Sequence, residues 1–157
     1  MAVDFKTFIE IVPHVTSARF PVLMRGRHGI GKSQVVYQLA KTFNLPVVER
    51  RASQMTEGDL VGLPSISANA TAWNPPNWFK YACSNACVLF FDEVDRATQE
   101  VRQGLFELTD SRKLNGFKLH EDVLVFAAIN GGDHGANYQV SDMDPAELDR
   151  YTVFDLE

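Results

Sequence analysis

The order of residues predicts a three-layer α/β fold, with a central, mostly parallel five-stranded sheet and small β-hairpin inserts. Two observations carry that prediction. Short apolar runs recur as "FPVLM" (20–24), "LPVVERRA" (45–52), "ACVLFFDEVDRA" (86–97) and "DVLVFAAIN" (122–130). Segments of helical periodicity stand between them, and strands alternating with helices imply a parallel sheet covered on both faces.

The elements follow in order. "DFKTFIEIV" near the start is an amphipathic helix. After the first strand, Val35, Val36, Leu39, Ala40 and Phe43 share one face of a second helix. Residues 62–78 are polar, proline-bearing and too long for a simple connection, which suits a small hairpin. In "TQEVRQGLFELTDSR", Val101, Leu105 and Leu108 recur at helical spacing behind Thr98, a suitable N-cap. Asn115-Gly116 between short alternating runs predicts a two-residue hairpin turn. "RYTVFDLE" is the last strand.

The 157 residues suffice for one domain, spanning 1–157, with a real core. Hydrophobic residues make up 45% and charged residues 22%, a soluble globular composition. The net charge is -5 with no basic block, so nucleic acid remains a possible partner but is not indicated. The start lacks a secretion signal, and no apolar run nears the roughly 20 residues that cross a bilayer. Cys83 and Cys87 lack the company that a metal site or disulfide scaffold needs and read as reduced thiols. A cytoplasmic protein without membrane contact is the expectation.

Chemistry concentrates in "RGRHGIGKSQ", residues 25–34. Gly26-x-x-x-x-Gly31-Lys32-Ser33 is a complete phosphate-loop pattern, placed after a strand and opening a helix. Glycines let successive backbone N–H groups turn toward phosphate oxygens, and the helix N-terminus adds unpaired donors. Gly26, Arg27, His28, Gly29, Ile30, Gly31, Lys32, Ser33 and Gln34 are the candidate binding residues. Lys32 suits the β- and γ-phosphates, and the Ser33 hydroxyl suits Mg²⁺. His28 is unusual there; near phosphates it would be pH-sensitive, and elsewhere merely exposed.

A second strand, "CVLFFDE", delivers two acids at its carboxyl end, where open α/β sheets bind ligands. Asp92 suits Mg²⁺ beside Ser33, and Glu93 suits orienting and deprotonating an attacking water. Asn130, ending "VFAAIN", is placed to hold that water or the γ-phosphate. Arg150 in "ELDRYTVFDL" either forms a surface ion pair with Asp149 or Glu147, or reaches a neighbouring subunit's γ-phosphate.

Together these residues resemble the AAA+ ATPases, and more narrowly the MoxR-like branch, from about residue 20 onward. The ordered signature is the phosphate loop, "MTEGDLVGLP", "DEVDRA", "LVFAAIN" and "ELDRYTVFDL", with Asp59-Leu60-Val61-Gly62 matching the family's acid-Leu-x-Gly segment. The resemblance implies a P-loop NTPase fold, ATP and Mg²⁺ as cofactors, and Walker A and Walker B motifs holding Lys32, Ser33, Asp92 and Glu93. It implies a first sensor at Asn130 and a trans-acting arginine finger at Arg150. The inserts become 62–78, within the second helix, and 113–121, before the sensor strand. Trp73 and Trp78 are either client contacts or packed aromatics; Arg96 and Arg102 are further interface candidates.

A MoxR-like protein is expected to assemble into a ring, commonly a hexamer, and to drive change in a client protein by ATP hydrolysis at subunit interfaces. The family continues into a helical lid with a second sensor arginine, whereas this sequence stops at the last strand; either it is a fragment of a longer protein or the lid has been lost. Weak nucleotide affinity and no stable hexamer are the corresponding expectations. Two rival readings are a nucleotide-dependent assembly switch with negligible hydrolysis, and a nucleic-acid-directed AAA+ motor. A GTPase fits least, since no Asn-Lys-x-Asp segment is present.

Overall fold

Burial on both faces explains why the strand sequences lack apolar-polar alternation. In the computed structural model, which describes residues 2–27, 29–66, 69–130 and 145–156, β6 (Val88–Asp92) buries Val88 and Phe90 on one side. It buries Leu89 and Phe91 on the other. All six residues of β9 (Leu124–Ile129) are buried. With β2 (Val22–Arg25), β3 (Val47–Arg51) and β10 (Thr152–Leu156), these are the five expected strands. A two-residue strand, β1 (Ala2–Val3), extends the edge, and the order is β1-β10-β2-β9-β6-β3 with every pairing parallel.

Helices cover the two faces. α1 (Phe5–Ser17) and α2 (Lys32–Thr42) pack Phe8, Val12, Val36 and Leu39 against Met24, Phe90, Phe126 and Phe154. The amphipathic pattern expected near the start is thus met, with Asp4 accepting the Thr7 amide as N-cap. α3 (Glu57–Val61), α4 (Asn77–Ser84) and α5 (Gln99–Ser111) cover the other face with Leu60, Phe79, Val101, Leu105 and Leu108. Thr98 caps α5 by accepting the Val101 amide. A four-residue helix, α6 (Pro145–Leu148), precedes β10. Among the described residues, no helix is long and apolar enough to cross a membrane.

Both hairpins form where the sequence suggests them. β4 (Leu63–Ile66) pairs antiparallel with β5 (Thr71–Asn74). β7 (Lys113–Leu114) and β8 (Phe117–Lys118) flank Asn115 and Gly116, both at positive φ as a two-residue turn of this kind requires. The segment "TEGDLVG" anchors the first hairpin. Thr56 and Asp59 close a capping box, Leu60 packs into the core, and Trp78 Nε1 donates to the Asp59 carbonyl at 2.8 Å. Gly62 then turns at φ 87, and a Cβ there would stand 2.0 Å from the Asn74 carbonyl oxygen. Only glycine fits that base.

Candidate functional site at the carboxyl rim of the sheet

Three neighbouring strands, β2, β9 and β6, bring their carboxyl ends together because they lie side by side in the sheet. β2 leads into the glycine loop, β6 ends in Asp92 and Glu93, and β9 ends before Asn130. The loop is tied to the sheet where the Gly26 amide donates to the Ile129 carbonyl at 3.2 Å. Gly31 enters α2 at φ 95 as an N-cap without a side-chain bond. The first amides of α2, from Lys32, Ser33 and Gln34, have no preceding turn to pair with and form a ready anion site. Gly29 also has positive φ, Arg27 and Gln34 are exposed, and Ile30 packs against the core. His28 lies outside the described residues.

Lys32 is buried, at 7% exposure. Its ammonium donates to the carbonyls of Gly26 (2.5 Å), Arg27 (3.2 Å) and Ile129 (3.3 Å) and to Asn130 Oδ1 (3.1 Å). Burial lowers its pKa, while the charges of Asp92, Asp95 and Glu93 oppose that shift. Burial likewise raises the Asp92 pKa, with the bond from the Glu93 amide to Asp92 Oδ1 (2.9 Å) pulling the other way. A cation and carboxylates held this far from water form a site that favours a highly charged ligand able to complete their pairing.

Glu93 stands in the left-handed region, φ 54 and ψ 40, at the start of a 3-10 turn, Val94–Arg96. Its Oε2 accepts from the Ser53 hydroxyl at 2.5 Å and lies 4.0 Å from Arg51 Nε. Asn130 has a buried side-chain nitrogen, Nδ2, with no partner among the described residues. The unpaired helix amides, the buried ammonium, the Ser33 hydroxyl, the paired acids and this orphaned donor together fit a Mg²⁺-bound polyphosphate.

Arg150 is elsewhere. It precedes the amino end of β10, whose Thr152 pairs with Val22 at the start of β2, so it lies at the opposite edge from the loop. Its Nη1 is 3.5 Å from Asp110 Oδ1, and its guanidinium carbon is 5.7 Å from the centre of the Phe106 ring. The intramolecular partner is thus Asp110, contributed by α5. Trp78 is packed beside Phe79 and Phe91, whereas Trp73 is exposed on β5 with Leu63 and Ile66 nearby on the same hairpin. Arg96 is exposed; Arg102 keeps Nε and Nη1 buried without a partner among the described residues.

Two residues escape sequence reasoning. Ser53, in a 3-10 turn after β3, meets Glu93 because β3 and β6 pair with Arg51 opposite Asp92. Asp95 is 3% exposed, and its Oδ2 accepts the Asn130 amide at 3.2 Å. A third acid so close to "DE" was a usable signal for Asp95. Nothing local marks Ser53.

The model of the AAA domain (dynein-related subfamily) matches residues 21–151. The chain is 29% identical to BssE of Thauera aromatica over 140 residues, covering 84% of this chain and 48% of BssE. It is 24% identical to the protein CbbQ of Hydrogenophilus thermoluteolus over 147 residues, covering 88% and 54%. It is 32% identical over 94 residues to the denitrification regulatory protein NirQ of Stutzerimonas stutzeri, covering 59% and 34%. The chain thus spans about half the length of the first two of these relatives. A crystal structure from Cytophaga hutchinsonii shares the fold at a TM-score of 0.70 and 20% identity, covering 99% of this chain and 47% of that one.

Proposed function

Because this chain belongs to the AAA domain family, dynein-related subfamily, and is a MoxR-like AAA+ ATPase domain, we propose that it binds Mg-ATP at the carboxyl rim and hydrolyses it. The single observation that carries the proposal is the convergence of Lys32, Asp92, Glu93 and Asn130. The loop amides and Lys32 bind the phosphates, with Lys32 exchanging its carbonyl partners for phosphate oxygens. Mg²⁺ held by Ser33 and Asp92 would neutralise charge on the β- and γ-phosphates. Glu93 takes the proton of the attacking water, and Asn130 orients that water or the γ-phosphate. Hydrolysis changes the bonds at this rim, and the two hairpins carry the change to a client protein.

Arg150, remote from its own loop, serves a neighbouring subunit in a ring and offsets charge developing on the γ-phosphate. The likeness to BssE, CbbQ and NirQ supports a remodelling role rather than a nucleic-acid motor. The test uses full-length protein with Mg-ATP. Phosphate release should fall at least about a hundredfold in Glu93→Gln with ATP still bound. Mixing Glu93→Gln with Arg150→Ala subunits should restore part of the turnover, because one of the two orientations of a mixed interface pairs an intact acid with an intact arginine. Full turnover in Glu93→Gln, or no release by the wild type, would overturn the reading.

A further inference from the structure

We infer that Asp95 is a positioning residue for this site, fixing the main chain of Asn130 so that its amide side chain is presented at the rim. The inference deepens the nucleotide reading above and rests on it for its kinetic consequence only. Pairing of β6 with β9 ends at Phe91 opposite Ala127, three residues short of Asn130. Beyond that point β6 turns away through Glu93 into the Val94–Arg96 turn. The Asn130 amide is therefore past the end of the β6 ladder, half-buried beside the buried Asp95, and an N–H withdrawn from water without an acceptor is costly.

Asp95 meets that need. Its Oδ2 accepts the Asn130 amide, so a side chain continues the bonding where the strand has departed. The same segment is held from the other side, since Lys32 donates to both the Ile129 carbonyl and Asn130 Oδ1. Asn130 is thereby gripped at its amide and at Oδ1, and at the adjoining Ile129 carbonyl, while its buried Nδ2 has no partner among the described residues. When Lys32 turns to a phosphate, Asp95 is the grip that remains on Asn130 among the described residues. A carboxylate that is 3% exposed, with Oδ1 lacking a partner among the described residues, is an expensive choice of acceptor. Its use is explained by position: the turn carries it from the acid pair to the sensor strand.

The first arm measures backbone amide exchange in the nucleotide-free chain. Asn130 should exchange at least about tenfold faster in Asp95→Ala and in the smaller change Asp95→Ser than in the wild type. Asp95→Asn keeps an acceptor oxygen and should stay within about threefold of the wild type. Unchanged exchange at Asn130 in both shortened variants overturns the inference. So does equal acceleration at Ala128, deep in the ladder, because that marks general loosening.

The second arm measures phosphate release by full-length protein. Asp95→Ala should lower kcat at least about tenfold with KM within about threefold, Asp95→Asn should recover most of the loss, and adding Asn130→Ala should cost little more. Additive losses overturn the positioning role. Absence of wild-type turnover, or full turnover in Glu93→Gln, instead overturns the nucleotide reading and leaves the exchange result to decide Asp95.

Discussion

The Ser53 hydroxyl donates to Glu93 Oε2, joining the turn after β3 to the acid at the end of β6. The bond holds the Glu93 carboxylate against the turn after β3, so the side chain must leave Ser53 before it can swing toward an attacking water. Replacing Ser53 with Ala should therefore raise basal phosphate release, by up to about tenfold for a bond to a charged group. A fall comparable with that of Glu93→Gln would show instead that the bond belongs to the working arrangement.

Lys32→Met should fold, since the aliphatic stem is retained in a buried position. It should nevertheless lose at least about thirtyfold in Mg-ATP affinity, the usual scale for removing one partner of a buried charge contact. Titration calorimetry on the full-length protein checks this. Undiminished binding would mean that the helix amides alone hold the ligand.

The base of the first hairpin should tolerate no side chain at Gly62. Gly62→Ala combines φ 87 with a 2.0 Å approach to the Asn74 carbonyl, and a loss of about 1–3 kcal/mol is expected by thermal or urea unfolding. Gly116→Ala is the control. Its φ is 85 but a Cβ there meets nothing within 4 Å, so only the conformational cost of about 1 kcal/mol applies. Equal losses would disprove the steric account.

The strands were legible because two-faced burial leaves continuous apolar runs, and the phosphate loop because its function demands a local spacing. Asn115-Gly116 was legible for the same reason, as the turn needs two adjacent residues at positive φ. β1 was not, being two residues whose only reason to extend is the free edge of β10. Ser53 and Asp95 are of a third kind. Each acts on a partner 40 or 35 residues away, and strand order, not spacing along the chain, makes the meeting. The partner of Arg150 was hidden likewise, since Asp110 arrives from α5 rather than from the adjoining acids.

Burial pushes the Cys87 thiol up to about 11 and raises that of the half-buried Cys83. At pH 8, roughly one part in a thousand of Cys87 is then thiolate, the reactive form. A thiol reagent at pH 8 should label Cys83 slowly and Cys87 more slowly still, with the Cys87 rate climbing as pH approaches 11. Both should react at once in denaturant. Rapid labelling of Cys87 in the folded chain would contradict its burial.

The lodging of Trp78 gives the molecule a built-in optical gauge. Its indole is bonded to Asp59 and sits 5.6 Å from the ring of Phe91, the residue just before Asp92. Emission from a Trp73→Phe chain would come from this indole alone, so its colour would register strain reaching the root of the acid pair without any attached dye.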